Sequence, residues 1–218
     1  MKNSKRTKGL FITFEGGEGS GKTTLIESLA SYFQEKGKEV VVTREPGGSS
    51  IGPEIRSMLL SLNEEAPLSH KAELLLFLAD RAQHIQELIL PSIREGRVVL
   101  CDRFNDSTIA YQGYGRGLDV DEVEKLCLLV SGNLLPDLTF LLDVDPALGL
   151  ERTRRLQKEH SGSGSVDRIE GEELEFHQKL RKGFLAIAKK EAERVVTIDA
   201  KESKEAVLKE AVKALKDV

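Results

Sequence analysis

Cysteine is scarce: the 218 residues hold only Cys101 and Cys127. Two thiols make neither a disulfide scaffold nor, by themselves, a metal cluster. Cys101 ends an apolar run and Cys127 lies in a helical pattern, so both read as buried thiols of a reducing compartment. The four histidines, His70, His84, His160 and His177, do not fall at ligand spacing, and none is read as a metal ligand. No apolar run approaches the length that crosses a bilayer. Residues Met1 to Lys8 are basic and polar and lack the apolar segment of a signal peptide. An excess of one charge is missing too. Lys and Arg number 32 against 36 Asp and Glu, a net of −4, which gives no electrostatic case for nucleic acid or a membrane surface. There is no internal repeat. The one low-complexity piece, Ser161 to Ser165, reads as a flexible loop. The expectation is a cytoplasmic chain with a single domain over 1–218, long enough for a full core.

Short apolar strands are present instead, each followed by a helical pattern. The strands are expected at 10–14, 39–43, 97–101, 138–144 and 195–199. The helices are expected near 24–33, 51–62, 69–90, 106–111, 120–130, 146–156, 174–192 and 205–215. Pro91 is expected to bend or break the third of these, and the glycine-rich stretch Gly113 to Gly117 follows the fourth. This alternation predicts a parallel sheet covered on both faces. Ligands of such sheets lie at the carboxyl ends of the strands. Residues 15–23, 44–50, 102–112 and 143 onward are therefore expected at one edge.

At the first strand end stands Gly16-Gly17-Glu18-Gly19-Ser20-Gly21-Lys22-Thr23, the pattern G-x-x-x-x-G-K-[ST] between a strand and a helix. Glycines let the backbone bend around an anion, and the helix start adds partial positive charge. Residues 16–24, from Gly16 to Thr24, are the expected ATP cradle. Lys22 is expected to reach the β- and γ-phosphates, and the Thr23 hydroxyl to bind Mg²⁺. The guanine-reading N-K-x-D and the transporter signature L-S-G-G-Q are both absent. Arginine is plentiful near the strand ends: Arg44, Arg103, Arg116, Arg152, Arg154, Arg155 and Arg168. Transfer between two phosphorylated substrates needs several converging cations.

Further motifs follow in order: Thr43 to Gly48 (TREPGG), Phe77 to His84 (FLADRAQH), Asp102-Arg103-Phe104, Asp106 to Gly113 (DSTIAYQG) and Asp167 to Glu170 (DRIE). Together the chain resembles the bacterial thymidylate kinases from about Phe11 to beyond Ala186. The resemblance implies a P-loop nucleoside-monophosphate-kinase-like α/β fold of three layers, with a five-stranded parallel sheet and a mobile lid over about 152–170. It implies ATP-dependent phosphorylation of dTMP to dTDP, Mg²⁺ as cofactor, and a homodimer. The alternatives are a kinase for another deoxynucleotide or nucleoside, and an acceptor-independent P-loop ATPase switch.

The resemblance also assigns the acceptor side. Arg44 and Arg103 are implied to clamp the dTMP phosphate, as planar guanidinium forks suit phosphate oxygens. Phe77 and Arg81 are four apart and share a helix face. With the resemblance they stack on the base and donate to its carbonyl; spacing alone favours a core aromatic and a solvated charge. Glu18 cannot face phosphate without repulsion, and by resemblance it binds the 3′-hydroxyl of dTMP. Tyr111 is implied to crowd the ribose 2′ position, and Ser107 and Gln112 to contact base or sugar. Asp102 is expected beside Thr23, placing Mg²⁺ through water or polarising the acceptor. The free P-loop positions carry no basic residue, so the catalytic arginines are expected on the lid. Arg152 and Arg154 match the family spacing better than Arg155. The catalytic set is thus Lys22, Asp102, Arg103, Arg152 and Arg154. Glu170 resembles a family position near substrate or metal. The chain departs from the family at Ser50 and Pro53, and in a longer segment from Leu156 to Val166.

Overall fold

The computed structural model describes residues 9–61, 67–159, 168–169 and 171–215. Among these, five strands form one sheet: β1 (Leu10–Glu15), β2 (Val40–Arg44), β3 (Val98–Asp102), β4 (Leu138–Asp143) and β5 (Val195–Asp199). They are all parallel and lie in the order β2-β3-β1-β4-β5. The helices are α1 (Lys22–Glu35), α2 (Gly52–Leu60), α3 (His70–His84), α4 (Leu90–Arg94), α5 (Asn105–Thr108), α6 (Val120–Ser131), α7 (Pro146–Glu159), α8 (Leu174–Lys190) and α9 (Lys204–Ala214). The α/β, three-layer P-loop expectation therefore holds, with each strand within a residue or so of its expected place.

Strand side chains alternate between faces, and the two faces make two cores. Ile12 and Phe14 pack with Leu25 and Leu29 of α1, Phe140 of β4 and Ala211 of α9. On the opposite face Phe11 packs with Ile85, Ile89 and Phe104. Leu141 joins the larger cluster under α3, α6 and α8. Fully burying each such side chain is worth about 1.5–3 kcal/mol.

β1 lies at the centre, with β2 and β3 on one side and β4 and β5 on the other. A crevice at the carboxyl ends of such strands is where ligands bind. The register sharpens this. Asp102 stands opposite both Phe14 and Arg44, so the ends of three strands come into line.

One local expectation is corrected. Pro91 does not break the long helix. Ile85–Ile89 forms a π-helical turn, and α4 restarts with Pro91 in its first turn. Proline is tolerated in a first turn because its missing N–H would have no partner there, and the wide turn re-registers the ladder just before it. In the glycine-rich stretch, Ile109–Gly115 is a second π-helical turn. A Cβ at Gly115 would sit 2.7 Å from Phe176 Cε2, so the glycine lets α8 approach closely. Ser69 caps α3 as expected, accepting from Ala72 N. Residues Met1 to Lys8 and part of the expected lid (160–167, with its Ser/Gly stretch, and Glu170) lie outside the described residues.

Candidate active site

β1 delivers the chain into the glycine loop with Gly16 at φ 136°. A Cβ there would come 2.5 Å from Leu142 O, so only glycine fits. Gly19 has φ 64°, and a Cβ would collide with the carbonyl oxygen of Gly149 in α7. Loop and α7 thus touch backbone to backbone. Lys22 opens α1 and folds its ammonium back over the loop, donating to Gly16 O at 3.1 Å and Gly17 O at 3.0 Å. Burial lowers its pKa, and the nearby Arg103 adds to that. Those carbonyl partners are ones that phosphate oxygens can replace.

β3 delivers Asp102 and Arg103. Arg103 has φ 72°, a left-handed backbone in a bulky residue. Its Nη1 donates to Gly16 O at 3.1 Å and to Ser107 Oγ at 3.2 Å. Nη2 donates to Glu18 Oε1 at 2.7 Å. The same oxygen accepts from the Tyr111 hydroxyl at 2.9 Å. Burial alone would raise the Glu18 carboxyl; Arg103, Lys22 and the Tyr111 hydroxyl hold it instead at about 2. Burial works against the charge of Arg103, but Tyr111, Glu18 and Asp102 more than offset it. The P-loop carboxylate is thus turned away from the phosphate cradle and toward the acceptor side.

One continuous cavity of about 780 Å³ opens between these parts. Glu18, Gly19, Ser20, Gly21, Lys22, Thr23 and Thr24 line one end. Arg44, Phe77, Arg81, Arg103, Ser107, Tyr111 and Gln112 line the other, and Asp102 lies on the same wall. Of the expected residues, Gly16 and Gly17 stand behind this wall, and Arg154 is off it. Arg152 and Arg155 of α7 are on it instead. They are three apart and so share a helix face, whereas Arg154 is turned to solvent. The same periodicity, read from the sequence, pairs Arg155 with Arg152. Arg152 Nη1 donates to Ala200 O at 2.9 Å.

Arg81 differs from its expected role as a free donor. It is fully buried; Nε donates to Glu45 Oε2 at 2.7 Å, Nη1 to Thr108 Oγ1 at 2.9 Å and weakly to Cys127 Sγ, and Nη2 to Phe104 O at 3.0 Å. A guanidinium has five N–H groups, so Nη2 keeps one for a ligand. Glu45 also meets His84 Nδ1 at 2.8 Å, and His84 Nε2 meets Thr43 Oγ1 at 2.7 Å. Sequence spacing did not foresee that Glu45, His84 and Cys101 bring ligand-type atoms within 4.8 Å of one another. The Arg81 guanidinium against Glu45 already supplies the positive charge there, and the His84 nitrogens have partners.

Two wall atoms are buried without a hydrogen-bond partner: Asp102 Oδ1 and Gln112 Oε1. Gln112 Nε2 is held by Glu73 Oε1 at 2.9 Å, which orients the amide. An unpartnered carboxylate oxygen on the wall that Thr23 also lines is the donor chemistry that Mg²⁺ takes. These residues fit such an ion. Arg56 of α2 and Lys204 of α9 also reach the wall; each is a basic residue in an amphipathic helix and carried no signal in the sequence. Arg168 tethers the far end of the lid segment, donating through Nε to Leu59 O at 3.0 Å and through Nη2 to Glu73.

A phosphate-gripping loop facing a second anion-binding set across one cavity defines a phosphotransferase of the nucleoside monophosphate kinase kind. The profile of the family described as thymidylate kinase matches residues 14–211. A thymidylate kinase of Protochlamydia amoebophila is 52% identical over 214 residues, covering 98% of this chain and 95% of the relative. One of Desulfovibrio desulfuricans is 48% identical and covers 91% of each chain. The crystal structure of the Ehrlichia chaffeensis thymidylate kinase superposes with a TM-score of 0.74 at 38% identity, covering 95% of this chain and 98% of that one. The chain belongs to the thymidylate kinase family. Its reaction is the ATP-dependent phosphorylation of dTMP to dTDP. Among the described residues, no helix is long and apolar enough to cross a membrane.

Proposed function

We propose that the two ends of the cavity hold the two nucleotides of this reaction, ATP on residues 16–24 and dTMP on the wall from Arg44 to Gln112. The observation that carries this is the continuity of the cavity: Lys22 and Thr23 share it with Arg44, Phe77 and Arg103. Lys22 exchanges its loop carbonyls for the β- and γ-phosphate oxygens. Arg44 and Arg103 grip the acceptor phosphate and keep its nucleophilic oxygen in line with the γ-phosphorus. Glu18 accepts from the sugar 3′-hydroxyl, and Tyr111, tied to Glu18, fills the space a 2′-hydroxyl needs. Phe77 stacks on the base. The remaining Arg81 N–H and the open Gln112 Oε1 provide one donor and one acceptor for the base edge. Arg152, with Arg155 beside it, supplies the positive charge that the P-loop lacks. Thr23, and Asp102 through water, are the residues that would hold Mg²⁺, whose chemistry is to neutralise phosphate charge.

The same reading makes the protein a cytoplasmic homodimer. α3 and α6 pack together, and exposed Leu75, Leu128 and Leu129 lie on them. Apolar side chains exposed in a group suit an isologous contact. Sedimentation of the protein is expected to give a dimer, and of Leu129→Glu a monomer.

The test of the reaction is ADP formation with ATP and a panel of nucleoside monophosphates, with thymidine beside them. dTMP is expected to be preferred over dUMP, dCMP and thymidine. Faster turnover of one of those moves the acceptor assignment. ADP formation independent of any acceptor means a hydrolase and sinks it.

A further inference from the structure

Glu15 ends β1 and is 1% exposed. It is one residue from the P-loop, yet the transfer reaction described above makes no use of it. A buried carboxylate is costly unless its oxygens are engaged. Both are engaged, and both with the segment that follows β3. Oε1 accepts from Phe104 N at 2.8 Å, and Oε2 accepts from the Ser107 hydroxyl.

Between strand β3 and those contacts stands Arg103 in its left-handed backbone conformation. Its own N–H donates to Phe14 O at 3.0 Å. Two successive N–H groups, of residues 103 and 104, are therefore received by the end of β1. That pair of bonds turns the chain sharply and sends the Arg103 side chain back over Gly16 and Glu18. Such a conformation persists only where its surroundings over-determine it. Ser107 closes the ring: its hydroxyl donates to Glu15 and accepts from Arg103 Nη1. The nearest negative charge, Asp106, is bound to Arg194 at 2.7 and 2.9 Å. Arg194 is thereby committed to Asp106, and the cations that remain close enough to interact with Glu15 are Arg103, Lys22 and Arg81.

We infer that Glu15 is a positioning residue: its carboxylate clamps the Arg103–Phe104 peptide and the Ser107 hydroxyl, and so aims the Arg103 guanidinium at the acceptor phosphate. This rests on the reading of Arg103 as a dTMP-phosphate ligand. Glu15 touches neither nucleotide.

The experiment measures dTMP and ATP dissociation constants by calorimetry for Glu15→Ala, Glu15→Asp, Glu15→Gln, Arg103→Ala and the double variant Glu15→Ala/Arg103→Ala. Asp is one methylene shorter and cannot span both partners, so it carries the test if the Ala variant fails to fold. Glu15→Ala and Glu15→Asp are expected to weaken dTMP about 10- to 100-fold, with ATP changed less than about 3-fold. Glu15→Gln, whose carbonyl still accepts from Phe104 N, is expected to recover most of the loss. The double variant is expected to bind dTMP no more weakly than Arg103→Ala. Equal loss for both nucleotides, or additive loss in the double variant, overturns the inference. If Arg103→Ala weakens dTMP and neither Glu15→Ala nor Glu15→Asp does, the inference alone fails. If Arg103→Ala leaves dTMP binding unchanged, the assignment of Arg103 fails and takes the inference with it.

Discussion

Across the cavity two sets of arginines face each other under different constraints. On the acceptor side Arg103 is held by Gly16 O, Ser107 and Glu18, and Arg81 by Glu45, Thr108 and Phe104 O. On the α7 side Arg152, with Arg155 beside it on the wall, donates to Ala200 O. The first set is anchored by several buried partners, and Arg152 by one backbone carbonyl. The difference suits the roles proposed for each. Holding an acceptor phosphate so that its oxygen stays aimed at the γ-phosphorus calls for preorganisation. Meeting charge that develops only during transfer calls for arginines that arrive with closure.

The largest test of that division is Lys22→Ala, which serves the donor phosphates. It is expected to lower kcat/KM by about 10³-fold while circular dichroism and thermal melting stay close to the parent. Full activity breaks the donor assignment. Next is Arg152→Ala, expected to lower kcat by about 10²-fold with dTMP and ATP affinity nearly unchanged, whereas Arg154→Ala remains near the parent rate. Should Arg154→Ala prove the more damaging, the helix face seen here is not the one used in transfer. Phe77→Ala is expected to cost about 1–3 kcal/mol of dTMP binding and little ATP binding, as calorimetry would read. Equal losses for both remove the stacking role.

The smallest effect concerns two carboxylates three residues apart. Burial and the repulsion of Asp106 push the Glu15 carboxyl up to about 8, whereas Glu18 is held at about 2. A raised carboxyl favours the folded state below its unfolded pKa, and that contribution is lost as pH rises through about 8. A lowered carboxyl contributes above its unfolded pKa, and that contribution is lost as pH falls through about 2. Melting curves against pH are expected to show Glu15→Gln flattening the alkaline side and Glu18→Gln the acid side. The reverse pattern contradicts the two environments.

Motifs with a local mechanism were legible without coordinates. Gly16 to Thr23 carries its strand and helix with it, and alternation of apolar runs with helical spacing predicted the parallel sheet. Pro91 misled because it was read as a breaker. A π-turn absorbed the proline, and packing against Phe176 explained Gly115. Among the site residues, Arg81 was recognisable as functional in kind, yet the count of its committed donors was not. Its partners come from residues 45, 104, 108 and 127, and no local spacing links them.

Sequence by itself determined the chemistry available: a phosphate loop with an acid in it, arginines at strand ends, and no basic residue at the free positions of the loop. Those are properties of residue type and short spacing. Tertiary structure decided where that chemistry points. Parallel register brought Phe14, Arg44 and Asp102 into line, and a left-handed Arg103 turned its guanidinium onto Glu18. Helix phase put Arg152 and Arg155 on the cavity wall in place of Arg154. The reason is physical: a side chain's direction depends on backbone dihedrals and on partners dozens of residues away, and neither is written in the neighbouring letters.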